Sequence, residues 1–451
     1  MGRVILQQTT PQIEDIVEIL DQRDSASVAI LFAEAHPADI ADALESLTPA
    51  KRPHAWIHIP ESARGEVLSE LNEGVFKDLA LELDNKELID AIKVLDIDDI
   101  ADLIPDLPEA ILADVLFAVD SETRTNLGEV LSYPEDSAGG LMNIDAIAVR
   151  DNISLEVVLR FLRLKDELPD HTDTIYLVDR QNRLTGILPL EKLITGKSTD
   201  PAKDHALPNP VSFHTLDDEE EVAKAFADYD LVSAPVIDDS QELMGRITVD
   251  DVVDVIRDQA EHDIMAAAGV KEDEDIFAPV AKTTQNRTIW LGVNLITALL
   301  GSWVIGQFEG SIQQLVALAV LMPIVASMGG NAGTQTLTVV IRGMSTGTIS
   351  NRNVFNVLRK ESLVGVLNGF IWAVVVALIA AVWYQSWSLG LVIAAAMIAN
   401  LVMGAIAGVC IPVFLDKMKV DPALAGGVAL TTVTDVVGYF SVLGLATLFL
   451  L

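Results

Sequence analysis

From residue 289 to its end, the chain is a succession of five apolar runs, at about 289–308, 311–341, 363–384, 389–415 and 424–451. Each reaches or exceeds the roughly 20 residues that a helix needs to cross a bilayer. In hydrocarbon every backbone N–H and C=O must be satisfied internally, so runs of this kind are read as helices. Only five acids interrupt them: Glu309, Glu361, Asp416, Asp421 and Asp435. The first four are expected at or near the ends of apolar runs, within reach of water. Asp435 stands in the middle of the last run, among Thr431, Thr432 and Thr434. A carboxylate at that depth costs about 3 kcal/mol or more, so by default it faces a water-filled path or a partner. The bland alternative is a protonated Asp bonded to a neighbouring helix. The spans offer no base to pair with it.

Charge separates this region from the rest. From Thr288 onward there are six bases (Arg342, Arg352, Arg359, Lys360, Lys417, Lys419) against the five acids, a net of +1. The whole chain of 451 residues has 30 bases and 66 acids, so the part before Thr288 holds 24 and 61, a net of −37. An acidic soluble half argues against nucleic acid, whose phosphates call for Lys and Arg. It fits cation binding, or simply solvation. The one cysteine, Cys410, excludes a disulfide framework and a thiolate metal site within one chain. The first residues lack the pattern of a signal peptide, so the acidic half is expected in the cytoplasm.

From Pro11 to about Thr125, apolar residues recur at helical spacing, as in Ile13, Ile16, Val17 and Leu20. A weak repeat relates ADIADALESL, starting at Ala38, to DDIADLIPDL, starting at Asp98. Prolines at 49, 60, 105 and 108 break the helices into short pieces, which suggests a superhelix of stacked helices. Its acids read either as a solvated face or as a face that meets another acidic face through cations.

From Leu141 the pattern changes to short strands at 146–149, 174–178 and 184–188, repeated at 211–213, 234–237 and 243–248. In each copy a strand ending in Asp179 or Asp238 leads through a polar turn to a strand and then a helix. This duplicated alternation resembles a tandem pair of CBS domains, most specifically in APVIDDSQELMGRITVDDVVDVI of the second copy. Such pairs bind small ligands, adenine nucleotides among them. On the helix after the last strand, Asp251, Asp254, Asp258 and Glu261 share one face. Carboxylate oxygens of this kind suit Mg²⁺ or Ca²⁺. An exposed acidic helix with no ligand is the alternative.

Residues 262–287 are expected to form a helix connecting this module to the membrane, with Pro279 marking a break. The bases fall between spans two and three and between spans four and five, so the N-terminus is expected in the cytoplasm and the C-terminus outside. Span two contains Pro323 and then Gly329, Gly330, Asn331, Gly333, Thr334 and Gln335. Pro removes a helix hydrogen bond. A broken backbone at membrane depth is tolerated where it lines a cavity or is buried in protein. With Asp435 in span five, this stretch reads as one wall of a polar path.

The order of acidic helical domain, CBS pair, connecting helix and five spans resembles the MgtE family of magnesium channels over essentially the whole chain. The motifs that carry the resemblance are PIVASMGGNAGTQ from Pro323, VDPAL from Val420 and TDVVG from Thr434. It implies a non-enzymatic homodimer in the inner membrane, Mg²⁺ as cargo and as regulator, and ATP as a candidate ligand of the CBS pair. It further implies a pore on the two-fold axis around Asp435, with Thr431, Asn331, Gly329, Gly330 and Thr334 beside it. The implied gating acids are Asp218, Glu220, Asp230, Asp251, Asp254 and Asp263, with Asp421 at the membrane end. Gln259 and His262 stand where the family carries acids, and Gly426-Gly427-Val428 lacks a polar Asn, which bears on the number of regulatory ions and on selectivity.

The expected architecture is therefore a multi-domain membrane protein. An all-α superhelical domain (1–138) precedes two α/β CBS domains (139–203 and 204–261), a connecting helix (262–287) and a five-helix transmembrane domain (288–451). Mg²⁺ uptake through a channel, closed by Mg²⁺ on the acidic cytoplasmic domains, is the leading expectation. An ion-coupled secondary transporter is the alternative, with Asp435 as a proton relay and span two as a moving site. A membrane-anchored nucleotide sensor would leave Asp435 unexplained.

Overall fold

The computed structural model describes residues 25–165, 168–270, 274–350 and 352–451. The helical reading of residues 11–24 lies outside them. The chain divides into two units: Met1–Ala260 with Asp273–Ala278, and Glu261–Glu272 with Pro279–Leu451.

In the first unit, nine short α-helices follow one another among the described residues. They are α1 (Ser25–Glu34), α2 (Pro37–Glu45), α3 (Arg52–Trp56), α4 (Arg64–Ser69), α5 (Glu73–Glu82), α6 (Asn85–Ile92), α7 (Ile97–Leu103), α8 (Glu109–Ala118) and α9 (Ser121–Val130). Local chemistry sets the starts of several: Asp84 caps α6 by accepting from the Lys86 N–H, and Pro37 opens α2. None is long enough to be stable alone, so packing must hold them. Ile40, Leu44, Trp56, Phe76, Leu88 and Ile100 are essentially fully buried. Their cluster continues without a break into Val222, Phe226 and Ile247 of the second α/β copy. Burying side chains of this size contributes about 1.5–3 kcal/mol each.

Each α/β copy is a three-stranded sheet with the same topology. β1 (Ala148–Arg150) pairs in parallel with β2 (Thr174–Val178), which pairs antiparallel with β3 (Leu184–Pro189); β4 (Phe213–His214), β5 (Ser233–Ile237) and β6 (Leu243–Thr248) repeat the order. Helices α10 (Leu155–Leu162) and α12 (Glu219–Tyr229) form the parallel crossovers. Helices α11 (Leu190–Thr195) and α13 (Val249–Ala267) follow the last strands. Arg246, 4% exposed, joins the second copy to the chain before the first. It makes a bidentate pair with Asp145 and donates to the Asp170 carbonyl at 2.7 Å.

Among the described residues, the second unit holds five helices long and apolar enough to cross a membrane: α14 (Val280–Gly306), α16 (Ala317–Ser345), α17 (Val354–Tyr384), α18 (Trp387–Lys417) and α19 (Pro422–Phe449). A short helix, α15 (Glu309–Gln314), stands between the first two, so span two starts at Ala317 and not at 311. The connecting helix also differs from expectation. Helix α13 runs on from the second copy and ends at Ala267, and Pro279 is the N-cap of α14, so residues 280–287 belong to the first membrane helix. Proline fits there because the first helical turn needs no partner for its nitrogen.

Span two is not broken. Helix α16 passes through Pro323 and the glycines without interruption. The glycines serve helix contact instead. A Cβ on Gly404 would lie 2.6 Å from the Gly329 carbonyl oxygen, and one on Gly408 would lie 2.8 Å from that of Gly333. Without an aqueous driving force, membrane helices associate by such close approach of small residues.

Candidate functional site

Two groups of polar side chains need an explanation beyond packing. The first lies in the first unit, where α7 comes within electrostatic reach of the start of α13. Helix α7 carries Asp98, Asp99 and Asp102 at helical spacing, and α13 carries Asp251 and Asp254. Burial, then the charges of Asp98, Asp102, Asp96 and Asp251, pushes Asp99 up to about 8. Burial, then Asp98 and Asp250, pushes Asp251 to about 7. Burial, then Asp96, raises Asp98 to about 6. Asp102 rises to about 7 through the same surroundings and its neighbours Asp98 and Asp251, although its side chain keeps an edge in solvent, which tempers the shift. Like charges crowded out of water hold on to protons unless a cation replaces them.

The bonds within this groove are few. Asp98 Oδ2 accepts from Asn143 Nδ2 at 3.0 Å, while Asp98 Oδ1 is buried with no donor among the described residues. Asp251 Oδ2 accepts from the backbone N–H and hydroxyl of Thr248. A hard oxygen donor set with an orphaned carboxylate oxygen fits Mg²⁺. Among the described residues no three acids, histidines or cysteines already converge on a single metal position.

A second acidic patch adjoins α12. Burial, then Asp136, Asp218, Glu220 and Asp258, pushes Glu219 up to about 7. Here some candidate ligands already have structural work. Asp218 caps α12 by accepting from the Glu220 N–H at 3.0 Å, and Asp230 ends the same helix in the left-handed conformation. The twelve residue steps from Asp218 to Asp230 along α12 set these two about 18 Å apart. The acidic face read along α13 is partly neutralised, because Arg257 pairs with Asp254 at 3.2 Å and with Asp258 at 3.4 Å. Asp263 is half-buried near the end of α13. Next to it, His262 Nε2 lies 3.3 Å from Asp421 Oδ2, and Asp421 caps α19 through the Ala423 and Leu424 N–H groups.

The second group lies in the membrane unit. On α16, Asn331, Thr334 and Thr338 form one exposed row at helical spacing. On α19, Thr431 is exposed and Asp435, one turn on, is half-exposed. The two helices run antiparallel, and a Cβ on Gly330 would meet Thr434 Oγ1 at 3.6 Å. That register brings Asn331 and Asp435 to one level. Gly329 faces elsewhere: it is buried against Asn400 of α18. Glu361 corrects a further expectation. It is 8% exposed, not at a wetted helix end, and its Oε2 accepts from Thr336 Oγ1 at 3.3 Å.

Asp98, Asp99 and Asp102 escape the sequence reading because their segment stands out only as a repeat of the one at Ala38. Their signal is the spacing of three acids on a seven-residue helix. Asn400 escapes because one amide in an apolar run is unremarkable until its neighbours are known. In the first α/β copy a cleft of about 360 Å³ is lined by Arg150, Asp151, Asn152, Asp179, Arg180 and Gln181, and its two guanidinium groups suit a phosphate.

Comparison with known proteins finds matches along most of the chain. The family model described as "Divalent cation transporter" matches residues 322–445, that of the MgtE intracellular N domain matches 35–136, and that of the CBS domain matches 202–258. The magnesium transporter MgtE of Thermus thermophilus is 31% identical over 440 residues, 96% of this chain and 97% of that protein. That of Bacillus subtilis is 29% identical over 437 residues, 94% and 96% of the two chains. Among solved structures, the cytosolic domain of the Mg²⁺ channel MgtE in complex with ATP is similar at a TM-score of 0.50 and 32% identity, covering 54% of this chain and 99% of that one.

Proposed function

This chain belongs to the MgtE family of multi-pass membrane proteins, and from that premise we propose that it is a Mg²⁺-selective channel for magnesium uptake, not an enzyme, closed by Mg²⁺ on its acidic cytoplasmic unit. The observation that carries the proposal is the polar row of Asn331, Thr334, Thr431 and Asp435, open to the outside of a single chain within apolar helices. Hydrocarbon cannot accept such a row, so a second copy of the chain covers it and the two copies enclose a water-filled path. A homodimer supplies two Asp435 carboxylates to one path. Mg²⁺ dehydrates reluctantly, so the ion passes largely hydrated, attracted by these carboxylates, with Asn331 and Thr431 bonding its waters.

Regulation is assigned to the acidic groove. Mg²⁺ between Asp98, Asp99 and Asp102 on one side and Asp251 and Asp254 on the other replaces the protons that repulsion otherwise retains. Asp218, Glu220, Asp230, Asp263 and Asp421 are the remaining candidate ligands. Helix α13 carries Asp251 near its start and His262, in contact with the cap of α19, near its end. Gating is assigned to this segment of chain, which leads from the acidic unit into the membrane unit. A ligand shifts an equilibrium only by its differential affinity, so several weak sites acting together suit this design.

The bases at the ends of α16 and α18 and in the first turns of α17 support a cytoplasmic N-terminus and a C-terminus outside. ATP is proposed at the CBS pair, with the cleft at Arg150 and Arg180 as a place for its phosphates.

The test is Mg²⁺ flux through the purified protein in liposomes. Asp435→Ala should abolish flux while the folded dimer persists. Normal flux in that variant would overturn the pore assignment. Flux that requires a proton gradient would favour a coupled transporter over a channel.

A further inference from the structure

We propose that Asn400 is a positioning residue for ion selection, setting the register of α16 against α19 and thereby the relation of Asn331 to Asp435. This rests on the pore reading given above. Asn400 lies in the middle of α18 and is 0% exposed. Its Nδ2 donates to the Val325 carbonyl of α16 at 2.8 Å. A carbonyl can only accept, so that contact fixes which end of the amide faces α16. Its Oδ1 is buried with no donor among the described residues. An orphaned buried acceptor carries a desolvation cost that an apolar residue of the same shape would avoid. Packing alone would therefore favour Leu here, and the amide needs another reason.

The reason lies in what surrounds it. A Cβ on Gly329 would lie 2.1 Å from Asn400 Nδ2, and one on Gly438 would lie 2.9 Å from the same atom. Both glycines are notches cut to receive this amide, one in each helix of the polar row. Gly329 stands two residues before Asn331, and Gly438 stands three residues after Asp435. Val325 is one turn before Gly329, so the amide anchors the backbone that leads into Asn331. A single side chain from the fourth span thus holds both walls of the path at the level where the ion is selected. Stiff placement of polar groups, rather than their mere presence, is what lets a site discriminate between similar ligands.

The experiment compares Mg²⁺ and Ca²⁺ flux in liposomes for the full chain. Asn400→Leu keeps the shape and removes the donor. Gly329→Ala combined with Asn400→Ala fills the notch from the other side and also removes the donor. A merely structural role would lower both fluxes together by reducing the number of intact channels. The positioning role predicts that the Mg²⁺ to Ca²⁺ flux ratio falls about tenfold in both variants, the factor that corresponds to one hydrogen bond of positioning. An unchanged ratio in either folded variant would overturn the proposal. So would failure of both to fold, which would make Asn400 a packing residue. Asp435→Ala in the same assay separates the two readings: if it still conducts, the pore reading has failed, whereas loss there with an unchanged ratio here sinks only Asn400.

Discussion

The Arg52 guanidinium meets the Asp275 carboxylate at 2.7 Å with both side chains almost wholly buried, 1% and 3% exposed. Arg52 also donates to the Leu44 carbonyl at 3.1 Å and the Glu45 carbonyl at 3.3 Å. Asp275 belongs to the short segment that precedes the first membrane helix, five residues before Val280. The helical domain therefore grips the chain just before it enters the membrane unit.

Breaking this pair should be costly, because the partner left behind is a buried, uncompensated charge. Arg52→Ala is expected to lower the stability of the soluble unit by about 3–5 kcal/mol. Arg52→Ala with Asp275→Ala should recover part of that loss. Thermal unfolding of the detergent-solubilised protein would show both. A single variant as stable as its parent would mean that the pair is not held in solution.

The acidic groove makes the soluble unit sensitive to pH when divalent cations are removed. Asp99 and Asp251, both half-buried, are held at about 8 and about 7 in the folded chain, against an ordinary value of 3.8. Between those limits the folded state binds more protons than the unfolded state, so stability falls as pH rises. It is greatest below about 4 and lost progressively up to about 8. With chelator present, the melting temperature should drop between pH 5.5 and pH 8, and millimolar Mg²⁺ should restore it at pH 8. A flat profile in chelator would argue that the acids are solvated.

Gating should fail before transport does. Asp251→Ala with Asp254→Ala removes one wall of the groove and leaves the membrane unit untouched. Flux in that variant should persist at Mg²⁺ concentrations that silence the parent, and protease resistance of the soluble unit should no longer rise with Mg²⁺. Closure at the parent's concentration would reduce these acids to a solvated face.

Helix contact in the membrane unit depends on glycine where carbonyls approach. Gly408→Ala sets a methyl group 2.8 Å from both the Gly333 carbonyl oxygen and Thr336 Cβ. Backbone cannot swing aside like a flexible side chain, so the variant should lose about 1–3 kcal/mol, the cost of overpacking. Gly292→Ala on α14, with open space around its added Cβ, is the control that should be neutral. Equal melting temperatures in detergent for the two variants would contradict the close approach of α16 and α18.

Sequence alone determined the elements, because their signals are local. Span length is counted along the chain, and all five runs correspond to helices. The strands at 174–178 and 184–188 emerge within a residue of their observed bounds, since alternation and turn residues are neighbours in sequence. Asp435 stands out from any distance because nothing apolar explains it. What only the tertiary structure decided is what lies opposite each side chain. The DIAD runs at Asp39 and Asp99 carry the same letters, yet the second meets Asp251, and spacing cannot say which copy will. The glycines after Pro323 read as a break, but the carbonyls of α16 and the notch for Asn400 make them contacts. Glu361 reads as a wetted helix end until Thr336 is found against it. Burial and pairing are properties of two surfaces brought together, and one chain segment encodes only one of them.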